Sequence, residues 1–306
     1  YGKLSDLTGK NLNIQYNNSS SLECDMELRG LPDVQNTYMH FTFKDLVTNT
    51  VDLKQFTEPH NLQFLRDTTL WDDLGTIRYQ GRFTGYPREF VAFGQLETSL
   101  GTILLDLYLQ PDTSQVLHFK GNLRTDEFYA GDFLDKEEML EKVSLRLEVE
   151  GTRKNDSLDL FMDGNISLLE FYDYQYRNIN VSGNLTNSSF DGAFSIKDPN
   201  IEMSFAGNMD FSPKVPQFQF ETDVSRLRPY YLNLREDDPE YFASFFLETD
   251  LKGGSIDELT GDIRLVNSLF KRTGSQIQIY DFLLSADHSK DTSYIQVSSD
   301  ALDANL

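Results

Sequence analysis

The residues with chemical potential are few and scattered. Four histidines stand at His40, His60, His118 and His288. None falls in a His-Glu-x-x-His pattern, and none pairs with cysteine at zinc-ligand spacing. His118 sits beside Phe119 in a strand-like run and reads as a partly exposed strand histidine rather than a ligand. The one cysteine, Cys24, excludes an internal disulfide and leaves the redox compartment open. Ser268-Leu269-Phe270-Lys271 has the S-x-x-K spacing of a serine nucleophile, but its companion motifs are missing. Nucleophile-elbow, dinucleotide and Walker patterns are absent as well. Carboxylates cluster at Trp71-Asp72-Asp73 and Glu236-Asp237-Asp238. A Trp beside two acids is the material of a sugar-cleaving cleft. Neighbouring Asp residues in a turn are more ordinarily a solvated face. No EF-hand spacing is present. Asn17, Asn18, Asn155, Asn165, Asn180, Asn184 and Asn187 open Asn-x-Ser/Thr triplets, which turns rich in Asn, Ser and Thr generate without any glycan. On these grounds the chain reads as a non-enzyme without a cofactor or metal.

The elements that carry these residues read as β. Aromatic content is 13%, with 23 Phe and 15 Tyr against one Trp, a composition that suits pleated, half-buried surfaces. The clearest stretch is Leu74 to Leu109, three strand-like runs separated by glycine-marked turns. In its last run Ile103, Leu105, Leu107 and Leu109 share one face, the period-two signature of a strand. Val143, Leu145, Leu147 and Val149 repeat that pattern against Ser144, Arg146, Glu148 and Glu150. Ile201, Met203, Phe205, Met209 and Phe211 do so again, with Gly207 interrupting the set, and Phe218, Phe220 and Val224 continue it. Elsewhere a strand, a Gly and a further short strand recur, as at Gly81, Gly94 and Gly121. Gly inside a strand marks a bulge or a close backbone approach. Ala130 to Lys142 suits one short amphipathic helix, and Leu227 to Phe246 suits a helical insert of two segments around Glu236-Asp237-Asp238.

Three segments follow from this reading. Residues 1–70 are β-rich, with strands at Leu12–Tyr16, Leu22–Leu28 and Tyr38–Phe43 and an aperiodic connection over 44–70. Residues 71–150 form one glycine-punctuated β segment. Residues 151–306 form another, with the helical insert near 225–246, after a soft boundary at Gly151 to Asn155. The weak self-similarity of the halves is that of an elongated sheet in which each strand meets only its neighbours.

Charge narrows the partners. With Lys plus Arg 27 and Asp plus Glu 49, the formal net charge is −22. Such a surface repels phosphate backbones, so nucleic acid is excluded, and anionic membrane surfaces repel it too. No apolar run reaches transmembrane length and no signal peptide is evident. The chain begins at Tyr1 without Met and ends in mid-pattern, which reads as an internal piece of a longer protein. The remaining signal is distributed: many strands carry apolar residues on one face and polar ones on the other. That face is either the dry core of a β-sandwich or barrel, the commoner solution, or the lining of one curled sheet.

A resemblance bears on that choice. Gly75-Thr76-Ile77-Arg78-Tyr79-Gln80-Gly81-Arg82-Phe83-Thr84-Gly85, then Phe90-Val91-Ala92-Phe93-Gly94 and Thr98-Ser99-Leu100-Gly101, resemble the TamB/AsmA-like family in its Bacteroidetes form. Tyr176 to Gly183, Phe190-Asp191-Gly192, Lys197 to Asn200, Gly207 to Ser212 with Pro216, Leu259-Thr260-Gly261 and Ser298-Ser299-Asp300 extend it over about residues 70–306. The resemblance implies an all-β fold, an elongated curved sheet forming a repeating β-groove (the β-taco) with one or two short helical inserts. It implies a periplasmic bridge that moves phospholipid between inner and outer membranes and supports outer-membrane biogenesis. Its groove would be lined by Ile103, Leu105, Leu107, Leu109, Val143, Leu145, Leu147, Val149, Ile201, Met203, Phe205, Met209, Phe218 and Phe220, touching acyl chains. It further implies an Omp85-type outer-membrane partner and an inner-membrane anchor outside this piece. The rival readings are a scaffold or chaperone that pairs strands with outer-membrane β proteins, and a polysaccharide-binding or hydrolysing β domain.

Overall fold

A computed structural model shows a chain that is almost wholly antiparallel β-sheet. The structure describes residues 5–57, 73–112, 116–154, 157–211, 214–254, 258–288, 293–300 and 303–305. The chain divides into two compact units, Tyr1–Phe171 and Tyr172–Leu306.

The first unit contains β1 (Asp6–Tyr16), β2 (Ser20–Arg29), β3 (Tyr38–Asn49), β4 (Thr76–Tyr86), β5 (Glu89–Thr98), β6 (Gly101–Pro111), β7 (Leu117–Tyr129), β8 (Leu140–Lys154) and β9 (Ser157–Phe171). Each pairs antiparallel with its sequence neighbours from β1 through β9. Helix α1 (Thr50–Thr57) follows β3, and α2 (Ala130–Leu134) follows β7. The second unit repeats the meander with β10 (Tyr174–Thr186), β11 (Ser189–Lys197), β12 (Ile201–Asp210), β13 (Gln217–Leu227), β14 (Phe242–Lys252), β15 (Thr260–Arg272), β16 (Ser275–His288), β17 (Ser293–Ser299) and β18 (Asp303–Asn305). These too pair only in chain order within the unit. Each unit is one curved, open sheet. A sandwich needs a second sheet packed on the first, so that alternative does not hold within either unit.

Bulges and glycines bend the sheets. Pairing shifts register between Glu23 and Cys24, Phe43 and Leu46, and Thr125 and Phe128, and again between Glu202 and Met203 in the second unit. An extra residue on one strand bends it and tightens the twist. The glycine that the sequence pattern places between two short strands lies inside one long strand instead. Gly81 pairs with Gly94 in the middle of β4 and β5. A Cβ at Gly81 would lie 2.2 Å from the Phe93 carbonyl oxygen, so only glycine lets the backbones approach there.

Some elements differ from the sequence reading. The helix expected over Ala130 to Lys142 ends at Leu134, because Asp135 turns left-handed at φ 52°. Leu140 already belongs to β8. The insert near 225–246 is built of turns, not helices: β13 runs to Leu227 and β14 begins at Phe242. Its residues sit between Pro229 and Pro239 with Asn233 left-handed at φ 59°, and no helix propagates through such a sequence. Asp45-Leu46-Val47, which the sequence leaves open between a helical turn and a strand end, belong to β3. Gly151 lies within β8, which pairs with β9 as far as Lys154 and Ser157. Phe64-Leu65-Arg66 lie outside the described residues.

Candidate apolar groove

In an antiparallel ladder, directly opposed residues point to the same side of the sheet. The register therefore shows how single strands combine into a surface. Leu105 faces Gly94 and Leu123, Leu123 faces Leu147, and Leu147 faces Gly164. In the other direction Gly94 faces Gly81, Gly81 faces Phe43, Phe43 faces Cys24 and Cys24 faces Leu12. One row of apolar residues and glycines thus crosses every strand of the first unit. Three parallel rows accompany it. Leu107 belongs to the row of Met26, Phe41, Phe83, Ala92, Gly121, Val149 and Met162. Leu109 lies between Phe90 and Phe119. Ile103 lies between Leu96 and Thr125, and Thr125 faces Leu145.

The second unit follows the same rule. Met209 faces Phe190 and Phe218, Phe220 faces Gly207 and Thr249, Phe205 faces Phe194 and Thr222, and Met203 faces Ile196 and Val224. Ile201 faces Leu227 at the end of the strand pair. Gly183, Gly192 and Gly207 oppose one another in a short glycine ladder flanked by rings. Phe194 and Phe205 stack at 4.8 Å, and Phe205 meets Phe220 at 5.1 Å.

Burial separates a groove from a dry core. Of the fourteen expected lining residues, Val143, Leu147, Val149, Ile201 and Phe205 are buried, and the other nine are half-buried. A sandwich core would close over all of them. One margin of the first unit is closed. Leu74, Ile77, Leu100, Phe128, Ala130 and Val143 form a packed cluster, with Leu53 of α1, Phe133 of α2, Ile103 and Leu145 against it. Ile103, Val143 and Leu145 therefore lie at a packed hem, while Leu105, Leu107 and Leu109 belong to no such cluster.

Polar groups on this face turn away from it. Thr125 Oγ1 donates to the Thr102 carbonyl at 2.7 Å, and Thr222 Oγ1 to the Ser204 carbonyl at 2.8 Å. Tyr79 lies over the Gly81–Gly94 pair and points its hydroxyl at the carbonyls of Arg82 and Phe93, 3.2 and 3.1 Å away. Burial pushes its phenol up to about 12, and burial also raises the Cys24 thiol, 1% exposed. The opposite face carries the charge. Lys120 pairs with Glu150 at 2.6 Å, Arg78 with Asp45 at 2.5 Å and Arg264 with Asp281 at 3.0 Å. Such exposed pairs are screened by water and add little to stability.

The candidates for conventional chemistry do not assemble. His40 Nδ1 is 2.9 Å from Thr84 Oγ1 on the charged face, and His118 is exposed on that face. Ser268 is fully buried, while Lys271 is exposed with its ammonium over the Phe242 ring. Asp237 is held by Arg235, and Asp238 accepts from the Thr273 amide and hydroxyl, so this acidic triplet braces turns. His60, Trp71 and Asp72 lie outside the described residues, and Asp73 precedes β4. Asn17 donates to Asp52, and Asn165, Asn180 and Asn184 lie within strands. Among the described residues no group of three metal-ligating side chains converges.

Sequence reasoning missed several lining residues. Phe190 and Phe194 alternate with Asp191 and Ala193, and Phe119 and Leu123 flank Gly121, so period two was available for both. The register adds what periodicity lacks, namely which residues meet across strands. No protein-family model matches the chain, and no curated protein or solved structure shows significant similarity to it.

Proposed function

We propose that the chain is a segment of a periplasmic bridge whose apolar face holds and conducts phospholipid acyl chains between inner and outer membranes. The observation that carries this reading is the continuity of the apolar rows across β1 to β9, combined with their half-open burial. Nine strands at about 4.8 Å spacing give a run of roughly 38 Å. One leaflet's share of a bilayer core is about 15 Å. An acyl chain lying along the rows fits within one unit with room to move. Burying it gains roughly 0.8 kcal/mol per methylene, without direction or sequence preference. A conduit needs such uniformity, because a deep local site would trap its cargo.

The wording around Gly81, Gly94 and Gly183 supports membership of the TamB/AsmA-like family on resemblance. With it come the proposed periplasmic location, an inner-membrane anchor elsewhere in the protein, an Omp85-type outer-membrane partner and a non-catalytic role. A second reading is a scaffold for outer-membrane β proteins. It is favoured by β1, which among the described residues of its unit pairs with β2 alone. Native mass spectrometry of the purified chain tests the first reading. Co-purified phospholipid is expected, and a protein that stays lipid-free after incubation with phosphatidylethanolamine vesicles sinks it. Photoreactive side chains on β1 that capture outer-membrane protein instead would move the assignment to the scaffold.

A further inference from the structure

Rings are unevenly placed on the apolar face of the first unit. In the two central rows, those of Leu105 and Leu107, no residue on β5 to β9 is aromatic, whereas Phe43, Phe41 and Phe83 occupy β3 and β4. These three belong to a line of five rings. Tyr79 meets Phe43 at 5.4 Å between centroids, Phe43 meets Phe41 at 5.5 Å, Phe41 meets Phe83 at 6.3 Å and Phe83 meets Phe90 at 4.5 Å. The line crosses the rows instead of following one. Tyr79 stands in the row of Ile103, Phe43 in that of Leu105, Phe41 and Phe83 in that of Leu107, and Phe90 in that of Leu109. Its two ends are fixed: the Tyr79 hydroxyl is held at the Arg82 and Phe93 carbonyls, and Phe90 is 6% exposed. The three middle rings are half-buried. The second unit has a counterpart on different strands. Phe190, Phe194, Phe205 and Phe220 lie 4.8 to 6.2 Å apart in three adjacent rows. In each unit the rings border a glycine rung, Gly81–Gly94 or Gly192–Gly207, where the strands approach closely.

Resting on the lipid reading above, we infer that the five-ring line is a barrier that holds a phospholipid acyl chain over β6 to β9 and meters its advance toward β1. A ring stands in each of the four rows, so a chain moving along any of them meets one. Strands β6 to β9 span three spacings of about 4.8 Å, roughly 14 Å. One leaflet's chains cover about 15 Å, so a single acyl chain fills this stretch. Methylenes slide over aliphatic side chains without preference for position. Passing the line instead requires the middle rings to turn aside and break their edge-to-face and stacked contacts. The fixed ends keep the line in place, while the half-buried middle rings have room to rotate. The path is therefore uniform on either side of the line and stepped at it.

A phosphatidylethanolamine with a diazirine at the acyl terminus tests this on the purified full chain. Peptide mapping is expected to place label on β6, β7 and β8 several-fold above β1 and β2. Equal label on the two sides of the line, or heavier label on β1 and β2, overturns the barrier. Absence of label from all of these strands overturns the lipid reading itself, so the two failures are distinct. In Phe43→Leu/Phe83→Leu the face stays apolar while the line is broken at two rings. Label on β1 and β2 should then rise several-fold, and label on β6 to β8 should persist. Rings that serve packing alone would leave the distribution unchanged in a folded variant, and that result also overturns the barrier. Phe83→Leu alone gives a milder version should the double variant fold poorly, and the wild-type map needs no variant.

Discussion

Phe194 and Phe205 stack across β11 and β12 with ring centroids 4.8 Å apart and planes 12° from parallel, immediately beside the Gly192–Gly207 pair. Phe205 is 5% exposed, and Phe194 is half-buried. Phe205→Ala should lower unfolding stability by about 3 kcal/mol, through lost burial plus the cavity left behind. Phe194→Ala should lower it by less. Urea unfolding of both variants checks the order.

Gly94 should tolerate no side chain. A Cβ there would lie 2.3 Å from the Gln80 carbonyl oxygen and 3.0 Å from the Tyr79 ring. Gly94→Val should destabilise by about 2 kcal/mol or more, because neither the facing backbone nor the ring can retreat cheaply. Tyr79→Phe keeps the ring and loses only the hydroxyl's contacts, at about 1 kcal/mol. Denaturation midpoints should separate the two variants clearly.

Charge on the open face should abolish lipid binding before it abolishes folding. Leu105 is half-buried, so Leu105→Asp retains some access to water while placing a carboxylate in the path of an acyl chain. Its neighbour Asp106 points to the charged face and is exposed. Leu105→Asp should reduce co-purified phospholipid several-fold with an unchanged far-ultraviolet circular dichroism spectrum. Asp106→Asn should leave both unchanged.

Acid should loosen the first hairpin. Hydrogen bonds from Ser20, Ser19 and Asn17 hold the Asp52 carboxyl below the usual carboxylate range. A depressed folded-state pKa contributes stability above the unfolded value of about 3.9, which is lost as pH falls through the folded value. The chain should therefore lose stability below about pH 4, and Asp52→Asn should show a shallower acid limb. Urea midpoints measured down that limb decide it.

Much of the fold was legible because period two is a local property. Ile103, Leu105, Leu107 and Leu109 announce their shared face within seven residues, and so do Val143 to Val149. What escaped was governed by single backbone positions or by distance. Asp135 ends α2 by turning left-handed, and nothing in its acidic neighbourhood marks that residue from Glu137 or Glu138. The insert after Leu227 has helical composition, but its prolines and Asn233 commit it to turns. The hem is a tertiary feature: Leu53 of α1 and Phe133 of α2 pack, from separate elements, against the same buried cluster that Ile103 and Leu145 meet. The alternation that makes a strand amphipathic is silent about whether a second layer covers it.

Strand pairing within each unit never skips a neighbour, and this has a kinetic consequence. Most strand pairs can close over a short turn as soon as the second strand exists, with little chain entropy lost to distant contacts, the β3–β4 and β13–β14 connections being the longer ones. Folding can advance one rung at a time in the order of synthesis, each new strand using the last as its template. It never depends on a strand that has yet to arrive.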